Sequence, residues 1–364
     1  MQLTLLAMNS QQKQFQVISL SDVPNGAEQV LLKMALAINA KLIFLKKNNG
    51  PRLSISSHVA ITYLSQTNIF FGLLKLIPLL RKFKKDEVII SSHPYLNAYL
   101  GFFKRIGWLK PQLIARECTS VFTRFKGFKR LIYRVIYRMG YPAIDLMVCQ
   151  TELMKEQLIK YNPFINEQKV LVQPNPVDFE KLVKDAEQPL LNERHDISFI
   201  CAAGRLIPEK GFDVLIKSFS IVHKKYPWLK LFILGEGKEK QHLMALVKQN
   251  KLQDSIVFKG HIANPAPYFK YAKLCVISSI TEGFPNVLLE MLALNKAVVS
   301  TLCAGGISAI PYIQTAKVND VEELALAIEK TLQQTDQSGY RNCIVYLKQR
   351  NPEKFAQSIL SALA

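Results

Sequence analysis

An α/β protein carrying two doubly wound parallel sheets in tandem is the fold class this sequence predicts, on three observations. Short apolar runs alternate with amphipathic helical patterns through the first half of the 364 residues, and the same rhythm starts again near residue 197. Between the two lies 170–181, VLVQPNPVDFEK, whose paired prolines cannot continue a central strand and mark a hinge. A chain of this length is also too long for one ordinary core.

Taken in order, 15–20 reads as a strand, 27–38 as a helix, 41–45 as a strand and 70–83 as a basic amphipathic helix; 87–91, 112–115 and 146–149 are further short strands. The second half gives a strand at 197–202, a helix at 212–224, a strand at 230–234, a helix at 239–249 and strands at 256–259, 274–278 and 297–301. Strands separated by helices imply parallel pairing through right-handed crossovers. The expected division is 1–180, 181–345 and a terminal helical segment, 346–364, that packs back towards the first domain. Ligands of such sheets bind at the carboxyl ends of the strands. Two of them facing each other make the cleft between domains the expected site.

Composition narrows the classes. With 49% hydrophobic and 21% charged residues the chain is globular rather than disordered. The cysteines 118, 149, 201, 275, 303 and 343 form no C-x-x-C pair and have no histidine at zinc spacing, so buried thiols in a reducing compartment are expected. The start, MQLTLLAMNSQQKQ, lacks a basic region and a long apolar core, so a secretory signal is not expected. The longest apolar run, 69–80, is interrupted by Lys75 and Pro78 and is too short to span a bilayer.

The net charge of +19 is uneven: residues 1–150 hold 21 Lys and Arg against 6 Asp and Glu, a net +15. Its densest parts, 80–85 (LRKFKK) and 124–138 (RFKGFKRLIYRVIYR), interleave cations with Phe, Tyr, Leu and Ile. That mixture suits an interfacial helix on anionic lipid. It equally suits an amphipathic helix whose apolar face is domain core and whose cations are solvated. Nucleic acid is not expected, since no recognised binding motif accompanies the charge.

Two segments carry chemistry. In 278–290, SSITEGFPNVLLE, Glu282 sits on a loop of small residues, Asn286 is the expected N-cap, and Glu290 lies one turn inside the helix that follows. The free N–H groups and positive dipole end of that first turn favour an anion, and each carboxylate can accept from vicinal hydroxyls. In 204–211, GRLIPEKG, Gly204 permits close backbone approach, Arg205 can fork onto phosphate oxygens and Lys210 supplies a point charge. One half grips hydroxyls, the other a diphosphate.

The set NGAE near the start, NPVD at the hinge, GRLIPEKG, LGEG and EGFPNVLLE resembles the GT-B glycosyltransferases of family 4, retaining enzymes that use sugar nucleotides. The resemblance implies a GT-B fold, two Rossmann-like domains facing each other across a cleft, with the acceptor on the first and the donor on the second. It implies catalytic roles for Glu282, Arg205 and Lys210, with Glu282 facing the donor sugar and the two cations holding the diphosphate. It places Gly235, Glu236 and Gly237 beside the nucleotide, and Phe258, Gly260 and His261 at the base. Gly283, Phe284, Pro285, Asn286 and Val287 would hold sugar hydroxyls, and Glu290 the ribose.

On the acceptor side Asn25, Gly26 and Ala27 stand where the family has its glycine loop, Asn25 replacing the commoner glycine. Many relatives place a histidine after a first-domain strand; here QLIARECTS (112–120) offers Arg116 and Glu117, and His93 in SSHPYLN is the other candidate for acceptor contact. No Asp-x-Asp triplet occurs, so no metal ligand is assigned, no cofactor is expected, and Arg205, Lys210 and helix N-termini would carry the electrostatic work.

The expected activity is retaining transfer of a sugar, from a UDP-sugar donor, to a glycan or lipid-linked acceptor in cell-surface polysaccharide or glycolipid synthesis. The expected place is cytoplasmic, peripheral at the inner face of the cytoplasmic membrane. A sugar-nucleotide epimerase of related fold and a non-catalytic membrane-associated subunit are the competing readings. The two glutamates and two phosphate cations weigh against a dead site.

Overall fold

The computed structural model describes residues 13–190, 197–336 and 338–363. It divides into two units, Met1–Pro176 with Pro352–Ala364, and Val177–Asn351.

In the first unit the strands are β1 Phe15–Ser21, β2 Lys41–Lys46, β3 Ile61–Tyr63, β4 Val88–Ser92, β5 Gln112–Arg116, β6 Leu146–Cys149 and β7 Val170–Val172. They form one parallel sheet in the order β3-β2-β1-β4-β5-β6-β7. Successive side chains of a strand point to opposite faces, and here both faces are covered. Val17, Leu42, Ile90 and Val148 enter one core, shared with the helix Gly26–Ala37 and with Phe355, Ala356 and Ile359 of the terminal helix Pro352–Ser361. Ile18, Ile43, Ile89 and Met147 enter the other, under the helices Ile69–Leu80, Pro94–Arg105, Gly127–Gly140 and Glu152–Tyr161.

The second unit holds β8 Phe199–Ala203, β9 Lys230–Leu234, β10 Ile256–Gly260, β11 Leu274–Ile277, β12 Val298–Thr301 and β13 Gln314–Ala316, parallel in the order β10-β9-β8-β11-β12-β13. Helix Phe212–Lys225 lies on one face with Leu324 and Ile328, and helix Asn286–Leu294 on the other with Phe269 and Leu347.

Both sheets reverse strand order once. The reversal falls between β1 and β4 in the first unit and between β8 and β11 in the second. At each, the loops leaving neighbouring strands part to opposite faces and leave a crevice, where ligands of doubly wound sheets bind.

Two expected boundaries move. Helix Tyr340–Lys348 spans the expected break after residue 345 because Cys343 and Leu347 are buried in the core of the second unit, so the chain returns to the first only at Pro352. The other break falls after Pro176 rather than at 180, since 179 already belongs to helix Phe179–Asp185, capped by the Asp178 side chain accepting from Lys181 N–H at 3.1 Å. Val177 N–H donates to the Arg350 carbonyl at 2.7 Å, which ties the entry of this unit to its exit.

Candidate active site

Four loops at the carboxyl ends of β8, β9, β10 and β11 assemble the site of the second unit. After β8 the chain turns through Gly204 and the exposed Arg205, anchors itself with the fully buried Leu206, and makes a short 3-10 turn, Pro208–Lys210. Gly211 follows in the left-handed region at φ 59°, and a Cβ there would lie 2.2 Å from the Ser278 carbonyl oxygen, so only glycine lets helix Phe212–Lys225 start against the loop after β11. The loop after β9 is fitted as tightly. Gly235 has φ 143°, and a Cβ on it would meet the Gly204 carbonyl oxygen at 1.9 Å. Gly235 N–H donates to the Gly260 carbonyl at 2.7 Å and Leu206 N–H to the Glu236 carbonyl at 2.9 Å, which stitches three strand ends together.

The two segments read from sequence as separate halves meet in one ion pair. Lys210 Nζ lies 2.5 Å from Glu282 Oε1, both side chains less than one fifth exposed. Ser279 Oγ donates to the same oxygen at 2.8 Å, and Ser278 Oγ donates to the Lys210 carbonyl at 2.9 Å. Backbone bonds fix the partners: Ile280 N–H to the Glu209 carbonyl at 2.8 Å and Glu282 N–H to the Cys303 carbonyl at 2.9 Å. A partly desolvated pair held by this many short bonds is pre-set in position and costs little reorganisation when a ligand arrives.

Around it, Glu236 pairs with Lys240 at 2.9 Å on a half-exposed helix start. Phe258 is half-buried and packs towards the core under helix Phe212–Lys225, and His261 is exposed one residue beyond β10. Phe284 and Val287 pack on the opposite core, while Gly283 stays half-buried on the loop. The expected N-cap is corrected: Pro285 takes that position and Asn286 is the first helical residue, because proline presets an N-terminal φ and has no N–H to leave unpaired. Glu290 is half-buried, one turn in.

In the first unit Asn25 is the N-cap of helix Gly26–Ala37, in extended conformation with no hydrogen bond from its side chain to the helix; Gly26 and Ala27 form the first turn. His93 ends β4 at φ 117° and ψ 121°. Its Nε2 lies 2.7 Å from Glu28 Oε1 and its Nδ1 3.9 Å from Cys118 Sγ. Burial pulls the imidazole down, but hydrogen bonding to Cys118 and Glu28 outweighs it and holds His93 raised to about 10.

Arg116 and Glu117, expected at the acceptor, are 2% and 3% exposed. Glu117 accepts from Tyr137 at 2.9 Å, from Asn97 at 3.2 Å and from Tyr141, which occupies both of its oxygens with protein donors. Burial raises its carboxyl above the ordinary range, against the lowering by those hydrogen bonds and by Arg116. Arg116 donates to Asn175 Oδ1 at 2.5 Å and to Ser92 Oγ at 3.4 Å, and burial lowers it to about 10. This is an anchor that ties β5 to helix Gly127–Gly140, rather than a surface offered to a ligand. Sequence reading missed Glu28, Cys118, Asn97 and Ser279. Glu28 had a signal: a carboxylate three residues before Leu31 falls on the helix face that Leu31 and Met34 bury.

Residues 198–334 match the family described as Glycosyl transferases group 1. An uncharacterised glycosyltransferase of Methanocaldococcus jannaschii is 31% identical over 243 residues, 64% of this chain and 59% of that protein. N-acetylgalactosamine-N,N'-diacetylbacillosaminyl-diphospho-undecaprenol 4-alpha-N-acetylgalactosaminyltransferase of Campylobacter jejuni is 32% identical over 242 residues, 64% of each. The chain thus spans about six tenths of the length of these relatives. Among solved structures, Anabaena HepE in complex with UDP-glucose superposes with a TM-score of 0.78 at 15% identity, covering 96% of this chain and 99% of that one. The lipopolysaccharide outer core galactosyltransferase WaaB gives 0.68 at 14%, covering 96% of this chain and 99% of that one. At such identities these two speak for the fold alone. Residues 198–334 are thus similar to the group 1 glycosyl transferases, and the two parallel-sheet units have the GT-B fold of the solved neighbours.

Proposed function

We propose that this chain transfers a sugar from a UDP-sugar to a lipid-linked glycan, with retention at the anomeric carbon, in the synthesis of a cell-surface polysaccharide. The observation that carries the reading is the Lys210–Glu282 pair, 2.5 Å apart at the β8/β11 crevice, on the loop after β8 that also carries Arg205. Lys210 and Arg205 take the charge of the diphosphate, which grows as the anomeric C–O bond breaks. Glu282 accepts from donor-sugar hydroxyls and Glu290 from the ribose. The leaving phosphate oxygen takes the acceptor proton on the face from which it departs, so the new bond forms on that face. In this reading Arg205, Lys210 and helix N-termini carry the electrostatic work without a metal.

Support for the donor and acceptor classes comes from similar proteins. HepE was crystallised with UDP and with UDP-glucose, and the name of the Campylobacter relative specifies an acceptor on diphospho-undecaprenol. The test is transfer of radiolabelled sugar to lipid-diphosphate glycans, followed by NMR of the product anomer. Activity from a UDP-sugar that is unaffected by EDTA and falls steeply in Glu282→Ala and Lys210→Ala supports the reading; an inverted product or unchanged variants would overturn it.

The same proposal places the protein on the anionic inner face of the cytoplasmic membrane. Its support is helix Gly127–Gly140. Tyr133, Ile136, Tyr137 and Gly140 face the core, while a second stripe, Phe128, Leu131, Ile132, Val135 and Met139, lies exposed, Phe128 to 76%. The alternative of an apolar face spent wholly on the core accounts for the first stripe only. No acidic residue occurs in 118–140, and Lys129, Arg134 and Arg138 flank the exposed stripe. No helix among the described residues is long and apolar enough to cross a membrane.

A further inference from the structure

Glu28 belongs to the NGAE segment, and none of the roles above uses it. It lies in the first turn of helix Gly26–Ala37, 2% exposed, with Oε1 on His93 and with Oε2 lacking any hydrogen-bond partner among the described residues. Two more buried polar atoms are unpartnered on the strands that flank β4, Ser19 Oγ of β1 and Arg116 Nε of β5. Buried polar groups are almost always paired, so this region is built for more than packing.

His93 itself is strained. A non-glycine residue at φ 117° persists only where its surroundings enforce it. The residue stands at the β1/β4 reversal, where helices Gly26–Ala37 and Pro94–Arg105 both begin. Of its two nitrogens, Nε2 is engaged by Glu28, whereas among the described residues Nδ1 meets the Cys118 sulfur alone, at 3.9 Å. A thiol is a weak acceptor, and an anionic oxygen outcompetes it. The groups facing the imidazole are Glu28 from the first helix, Cys118 from the loop after β5 and the Tyr95 ring, 6.4 Å away on its own helix, with Arg116 behind Glu28 and Cys118.

We propose that Glu28 is a positioning residue that holds the His93 imidazole through Nε2 and leaves Nδ1–H, opposite the Cys118 sulfur, to donate to a ligand, and that His93 there binds a phosphate-class anion on the first unit. Under the transferase reading the anion is the diphosphate of the lipid-linked acceptor; only that identification rests on it.

The test uses the whole chain with UDP in excess, inorganic pyrophosphate as probe, and NMR of the histidine nitrogens, the His93 signal being assigned by its loss in His93→Gln. The expected result is a wild-type imidazole that stays protonated from pH 6 to 9 in this measurement, near its raised value of about 10, and shifts on adding pyrophosphate. In Glu28→Gln the imidazole should titrate lower than in the wild type, pyrophosphate affinity should fall about tenfold at pH 8, and it should recover at lower pH where the ring is charged again. A merely structural role for Glu28 gives no such recovery. Calorimetry on His93→Gln should show the same loss at both pH values. A wild-type His93 that titrates near neutrality, a signal that pyrophosphate does not move, or unchanged affinity in both variants would overturn the proposal. Absence of UDP binding would sink the transferase reading and leave the His93 measurement standing, so the two failures are distinguishable.

Discussion

Lys210 and Glu282 are 72 residues apart in sequence and share one short bond. Each was legible as a candidate site residue from its own segment; their contact was not, because it depends on β8 and β11 being neighbours at the order reversal, which no local pattern encodes. Replacing Lys210 by Ala leaves Glu282 partly buried with only Ser279 as donor, so the account expects a fall in kcat of about 10² to 10³, the usual loss when one preorganised electrostatic group is removed. Thermal unfolding should show the fold intact. Gly235→Ala is expected to act on stability instead: a methyl 1.9 Å from a carbonyl oxygen at φ 143° forces the β8 and β9 loops apart, at a cost of about 3 kcal/mol measurable by denaturant unfolding. His93 adds a pH dependence. Its folded value is raised from 6.5 to about 10, so the stability it contributes is full below pH 6.5 and is lost as pH rises through about 10. The stability gap between wild type and His93→Gln should therefore narrow from pH 6 to pH 10 in paired denaturation curves.

Among the elements, helix Gly127–Gly140 carries the least obvious assignment. Its cations and aromatics were plain in the sequence, but which apolar residues face inward was not, because two stripes on one helix give overlapping periods. Packing separates them: Tyr137 reaches Glu117 and stacks on Tyr141, with centroids 3.8 Å apart, and this fixes the rotation of the helix and turns Phe128, Leu131 and Val135 outward. Burying each of those side chains in lipid contributes about 1–2 kcal/mol, and each cation near an anionic surface about 1 kcal/mol. Substituting Phe128, Leu131 and Val135 together by Ser should weaken binding to anionic liposomes at least about tenfold, and raising salt should weaken the wild type. Equal vesicle binding by the triple variant would remove the membrane assignment. Short edge strands were the other hidden elements. β3 and β13 have three residues each, too few to show a period, and they exist by pairing with β2 and β12.

At the scale of the whole molecule the alternation of strand and helix was enough to read two parallel-sheet units, since both faces of each sheet must be covered and the apolar runs say so. The return of the terminal helix Pro352–Ser361 to the first unit was foreseen in direction, and its starting point was misplaced because helix Tyr340–Lys348 looks equally amphipathic until Cys343 and Leu347 are seen in the second core. In the first unit, Arg116 and Glu117 were legible as charged residues at a strand end, but their burial comes with Tyr137, Tyr141, Asn97 and Asn175, which lie far off in sequence. The central claim is that the β8/β11 crevice binds a nucleotide sugar, and ligand-induced stabilisation tests it most directly. Thermal unfolding with a panel of UDP-, GDP- and ADP-sugars should show UDP-sugars stabilising the wild type by about 2.7 kcal/mol at a concentration a hundredfold above Kd, and Lys210→Ala responding far less. No stabilisation by any sugar nucleotide, or an equal response from the variant, would contradict it.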